Sequence, residues 1–137
     1  MKAMLLLTLL TVIGCSRVED SAPKPIVITK AQIDLGESAP VFEKGAKMPS
    51  SRWICTLLGE RKEDPGTPLL ADANKPIEFR DGGTLLGSGI IRGGSIDRNH
   101  KRSLSIDMQS QQAAAKFYRD LGIWPRPGQD DLLPVAK

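Results

Sequence analysis

Glycine and proline recur so often, 13 and 10 times in 137 residues, that few segments can run long before a turn residue halts them. Short strands joined by tight turns are what this spacing predicts. Residues 25–29 (Pro25-Ile26-Val27-Ile28-Thr29) form the first strand by their β-branched content. That strand either pairs within the domain or adds to the sheet edge of a partner, because residues 36–51, with Pro40, Gly45 and Pro49, read as a separating loop. Residues 52–58 are apolar on both faces and end at Gly59, the pattern of an interior or sandwiched strand, and a charged turn follows over 60–66. Residues 76–80 alternate, with Ile77 and Phe79 on one face. Asp81-Gly82 supplies a hairpin turn, and 84–91 returns as its partner. After Gly93-Gly94, Leu104 and Ile106 alternate with serines in a half-exposed strand.

The stretch 111–121 is free of glycine and proline and reads as a helix, capped by Asp107 or Ser110 and stopped by Gly122. Ala113, Phe117 and Leu121 fall at i, i+4 and i+8, with Ala114 and Tyr118 alongside, so one stripe can lie on a sheet. Pro125 and Pro127 prevent the helix from continuing. The fold class is therefore α+β: a small antiparallel sheet of four or five strands with one C-terminal helix packed on it.

Ahead of this domain, Lys2 precedes an apolar run over 3–13 that closes on Gly14-Cys15. Eleven helical residues rise about 16 Å, roughly half the hydrocarbon thickness of a bilayer, which suits a cleavable signal better than a membrane span. Val12-Ile13-Gly14-Cys15 resembles the lipobox of bacterial lipoproteins. The resemblance implies cleavage before Cys15 and acylation of that cysteine, and more than one acyl chain makes a stable anchor. It divides the chain into a signal peptide (1–14), a lipidated cysteine and tether (15–24), a strand and loop region (25–51), an α+β domain (52–124) and a proline-containing tail (125–137). Ser16 stands where an aspartate would favour inner-membrane retention in Gram-negative lipoproteins, so in a Gram-negative cell the resemblance implies the outer membrane, facing the periplasm, and in a Gram-positive cell a protein that faces outward.

Removing residues 1–14 leaves 123 of 137 residues and takes away Lys2 alone among the charged groups, so 18 basic side chains face 16 acidic ones. A near-neutral mature chain gives no reason to expect a nucleic-acid partner, despite a pI of 9.0. If Cys15 is acylated, Cys55 has no partner within the chain, and its apolar surroundings mark it as a core thiol.

Chemistry-bearing patterns are sparse. His100 is the only histidine, which leaves no zinc set, and the carboxylates show no calcium-loop spacing. No nucleophile elbow accompanies His100, and the glycines at 82–89 and 93–94 lack the Gly-Lys-Ser/Thr ending of a phosphate loop. No catalytic residue, metal or cofactor is assigned on this basis. Arg92, Arg98, Lys101 and Arg102 are a candidate patch for an anionic ligand, although Asp97 and Asp107 lie close by and a solvated turn is the competing reading. Ile26 and Ile28 on the first strand, with Trp124 and Arg126 in the proline-rich segment, are candidate partner contacts. Packing of Trp124 on its own sheet competes with that role.

The run from Trp53 to Gly87, with a tryptophan strand followed by the hairpin Phe79-Arg80-Asp81-Gly82, is also similar to small envelope lipoproteins with lipocalin-like or META-type sheets. It lacks the glycine-cysteine-asparagine segment of the META pattern, so no function carries over. The expectation is a non-enzymatic, membrane-anchored protein that binds another envelope protein, as a structural part of a trans-envelope assembly or as an inhibitor or immunity factor. The alternative is a binding module for lipid, glycan or peptidoglycan.

Overall fold

Alternating apolar residues and glycine-marked turns build one mixed sheet in the computed structural model, which describes residues 22–128. Its strands are β1 (Ile26–Thr29), β2 (Ala39–Pro40), β3 (Arg52–Glu60), β4 (Pro76–Asp81), β5 (Thr84–Ile96) and β6 (Lys101–Met108), and the helix α1 (Gln111–Leu121) follows. The spatial order is β1-β4-β5-β6-β3-β2. The α+β class and the C-terminal helix agree with the sequence reading, but the sheet has six strands rather than four or five. It is also not purely antiparallel, because β1 runs parallel to β4. A parallel pair needs a long crossover, and residues 30–75 supply it.

The extra strand, β2, lies inside the segment read as loop. It pairs Pro40 with Trp53 over two residues, too short to show any alternation. The hairpin forms where expected, but its turn is shifted by one residue: Asp81 pairs with Thr84, which leaves Gly82-Gly83 as the loop.

Period-2 alternation sends Trp53, Cys55 and Leu57 of β3, Ile77 and Phe79 of β4, and Leu104, Ile106 and Met108 of β6 into one core. On β5 the buried residues Ile91 and Ile96 are five apart, which simple alternation forbids. An irregularity between Ile91 and Gly93 resets the phase. β3 is interior in strand order, between β6 and β2, but the face opposite the core is covered only at Thr56, which pairs with Ser38 and Ser103. Ile54 and Leu58 remain 36% and 54% exposed, which corrects the sandwiched reading.

The helix closes the core face. Ser110 Oγ accepts the Ala113 N–H at 3.1 Å, so Ser110 and not Asp107 is the cap. Gly122 takes the left-handed conformation (φ 74°) and donates its N–H to the carbonyls of Tyr118 and Arg119. The buried stripe is Ala114, Ala115, Phe117, Tyr118 and Leu121: four of the five expected residues are buried, while Ala113 is exposed and Ala115 is buried in addition. Phe117 enters an aromatic cluster with ring centroids 5.2 Å from Trp53 and 5.1 Å from Phe79. Tyr118 Oη donates to the Ser50 carbonyl at 3.1 Å.

Candidate functional site

Since the helix covers one face of the sheet, the side chains of opposite phase form an open face: Val27, Glu78, Ser88, Ile90, Arg92, Asp107 and Arg52 among them. Register places Asp107 beside Arg52 on β3 and beside Ile90 on β5. Arg52 Nε donates to Asp107 Oδ1 at 3.1 Å, and Arg92 Nε donates to Oδ2 at 3.0 Å. Arg92 Nη1 also reaches Asn74 Oδ1 at 3.4 Å. The hydrogen bond from Arg52 holds the Asp107 carboxyl below its ordinary value; partial burial opposes this and Arg92 reinforces it. Two guanidinium groups thus share one carboxylate, with the arginine side chains 53% and 49% exposed.

Beside this cluster lies an open groove of about 540 Å³, walled by Pro23, Pro25 and Pro76 and floored in part by Ile90. Arg92 and Asp107 stand on its border. Asp107 also borders a second concavity of about 210 Å³, lined with Val41, Glu43, Ser50, Ser51 and Arg52. Neither Asp107 nor Arg52 was among the candidate site residues. Their meeting depends on strand register, for which the sequence carries no local signal.

The residues that were candidates are dispersed. Ile28 is 7% exposed and Trp124 is 2% exposed, so both side chains belong to the core. Ile28 turns inward because the parallel pairing sets it beside Phe79, and Ile26 is half-buried against the same core. Trp124 lies under the Arg119 guanidinium, 5.3 Å from its ring centroid. The first strand pairs within the domain and leaves Val27 and Thr29 exposed, and in the proline segment Arg126 and Pro127 are exposed.

The four basic residues do not form one uncompensated patch, which corrects that reading. Arg92 pairs with Asp107, Lys101 with Asp34 at 2.7 Å and Glu37 at 3.2 Å, and Arg102 with Asp72. Arg98 is exposed in the turn. Lys101 and Arg102 are consecutive strand residues and so point to opposite faces. His100 shapes the β5–β6 turn with φ 58°, its Nδ1 is 3.1 Å from the Glu63 carbonyl, and its own carbonyl accepts the Arg61 N–H. Cys55 is fully buried, and burial pushes its thiol up to about 12, far from the thiolate form at neutral pH. Cys15 and most of the tether lie outside the described residues.

These shifts set the pH limits of stability. Lys101 holds Asp34 below the ordinary 3.8, and Arg52 with Arg92 does the same for Asp107. Folded values below unfolded ones stabilise above pH 3.8 and lose that contribution as pH falls through the folded values. Cys55 works in the other direction: its folded value of about 12 exceeds 9.0, so its contribution is intact below 9 and is lost as pH rises toward 12. Urea midpoints should therefore be flat between about pH 5 and 9 and fall on either side. The alkaline limb should steepen by up to about 1.4 kcal/mol per pH unit for this one group. Cys55→Ala should lower the plateau and flatten the alkaline limb. Asp34→Asn should flatten the acid limb.

The fold and site together define a one-faced α+β domain with an open, charge-bordered groove. No protein-family model, no curated protein and no solved structure matches the chain. Among the described residues, no helix is long and apolar enough to cross a membrane.

Proposed function

We propose that this protein is a non-enzymatic lipoprotein of the cell envelope, anchored by acyl chains on Cys15, whose domain binds another envelope protein. Such a protein serves as a structural part of a trans-envelope assembly or as a membrane-held inhibitor or immunity factor. The supporting observation is the position of the groove. One of its walls is the segment containing Ala22, Pro23 and Pro25, which follows Cys15 closely in sequence. Six residues lie between Cys15 and Ala22, and the stretch from one to the other spans at most about 25 Å when extended. An acylated Cys15 would therefore keep the open sheet face close to the lipid surface and present it to whatever is assembled there. The core face offers no comparable surface, since helix α1 already covers it.

Cys15→Ser tests the anchor. Metabolic lipid labelling should disappear, and the protein should become soluble or remain unprocessed; unchanged membrane association would reject the lipobox reading. The partner is tested by gentle detergent extraction of the unaltered protein, which should return it with a stoichiometric companion. Recovery of monomer alone would remove the support for a binding role.

A further inference from the structure

The groove has the dimensions of a specific ligand site, about 540 Å³ against a usual range of roughly 300–1,000 Å³. Its lining is divided in character. Pro23, Pro25, Pro76 and Ile90 make an apolar trough, and Arg92 stands on its border with Asp107. The Asp107 carboxylate accepts from both Arg52 Nε and Arg92 Nε, so Arg92 has only a share of it, while Glu43 lies on the Arg52 side in the adjoining concavity. Glu78, the other carboxylate on the wall, is engaged by Arg80 Nη2 at 2.9 Å. A carboxylate alongside Arg92 would give this guanidinium an anion of its own, and the planar fork of arginine suits a carboxylate. Asp107 fixes the guanidinium orientation before any ligand arrives, which reduces the ordering cost of binding.

We propose that the groove binds the free C-terminus of a partner protein, with the terminal carboxylate on Arg92 and the last apolar side chains along Pro76 and Ile90. This rests on the reading that the domain binds an envelope protein, and it identifies the part of that protein that is held. One feature favours a peptide over an alkyl carboxylate: Ser88 and Gln109 line the groove, which is open to solvent, as a hydrogen-bonded pair at 3.3 Å that can serve peptide amides.

The test uses the full chain in detergent micelles and two N-acetylated hexapeptides ending in two leucines, one with a free C-terminal carboxylate and one amidated. The acid should bind at least about tenfold more tightly than the amide, the scale of a lost charge-assisted hydrogen bond. Arg92→Gln should abolish that difference. Ile90→Glu should weaken binding of both peptides. The acid–amide comparison on the unaltered chain stands even if either variant folds poorly. Equal affinities, no binding of either peptide at millimolar concentration, or displacement of the acid by decanoate at the peptide's own affinity would each overturn the proposal. Recovery of the envelope partner measures the wider reading separately: recovery undiminished in both Arg92→Gln and Ile90→Glu would overturn the groove assignment while leaving partner binding intact.

Discussion

Trp53→Ala should cost about 3–5 kcal/mol of unfolding free energy, the range for removing a large aromatic from a packed core. Trp53 is fully buried, and its ring packs edge-on against Phe79 and Phe117 at 5.2 Å and tilted to Tyr118 at 6.2 Å. It therefore joins three elements: β3 that carries it, β4 through Phe79, and α1 through Phe117 and Tyr118. Its loss leaves a void that these elements can fill only by moving together, and domains of this size have only about 5–15 kcal/mol in total. The thermal midpoint should fall by about 15–30 °C, read by near-ultraviolet circular dichroism. Trp53→Phe provides the contrast. The indole Nε1 is buried with no hydrogen-bond partner among the described residues, so phenylalanine removes an unsatisfied donor and keeps most of the ring. It should retain well over half of what alanine loses. Equal losses for Phe and Ala would mean that the ring contacts do not hold these elements together.

Gly89→Ala is the second large effect, and it connects packing to the groove. A Cβ at position 89 would stand 2.5 Å from the Asp107 carbonyl oxygen and 3.0 Å from Ile106 Cγ2. The nearer obstacle is backbone, so the strain is relieved only by parting β5 from β6. Overpacking of this kind costs about 1–3 kcal/mol, and the loss should lie at the upper end because ladder hydrogen bonds are stretched as well. The displaced residue is Asp107 itself, so the shared ion pairs with Arg52 and Arg92 should loosen in the same variant. Gly93→Ala is the matched control, since nothing lies within 4 Å of its added Cβ. It should be neutral within about 0.5 kcal/mol. A Gly89→Ala protein as stable as Gly93→Ala would contradict the close approach of the two strands.

How much could be read without the structure follows the range of each interaction. Ser110 and Gly122 were recognisable as helix ends because a cap depends on residues within three or four positions. The β4–β5 hairpin was recognisable for the same reason, although two adjacent glycines after Asp81 left the turn ambiguous by one residue. β2 was not, because two residues around Pro40 make no periodic pattern. The helix stripe was recognisable in Ala114, Phe117, Tyr118 and Leu121 and missed only at its edge, because an alanine fits the apolar pattern whether it faces inward or outward, and only the sheet beneath decides between Ala113 and Ala115.

The candidate site shows the same division more sharply. Arg92 was singled out by its charge, while Arg52 was passed over as a strand residue and Asp107 was considered as a cap and as an acid near the basic turn. Nothing within reach of Asp107 along the chain indicates that Arg52, 55 residues away, is its neighbour. Lys101 and Arg102 looked like members of one patch because they adjoin in sequence. The pleat sends them to different faces, and Asp34 and Asp72 neutralise them there.

By itself, the sequence determined one hairpin and one capped helix with an apolar stripe, because those features arise from local backbone preference and side-chain period; the short strands it predicted are instead nine, thirteen and eight residues long in β3, β5 and β6. The tertiary structure alone decided that β1 lies parallel to β4, that Ile28 and Trp124 face inward, and that two arginines share Asp107 beside a groove. Those outcomes depend on the register between distant strands, which is set by how the whole core packs and not by any segment alone.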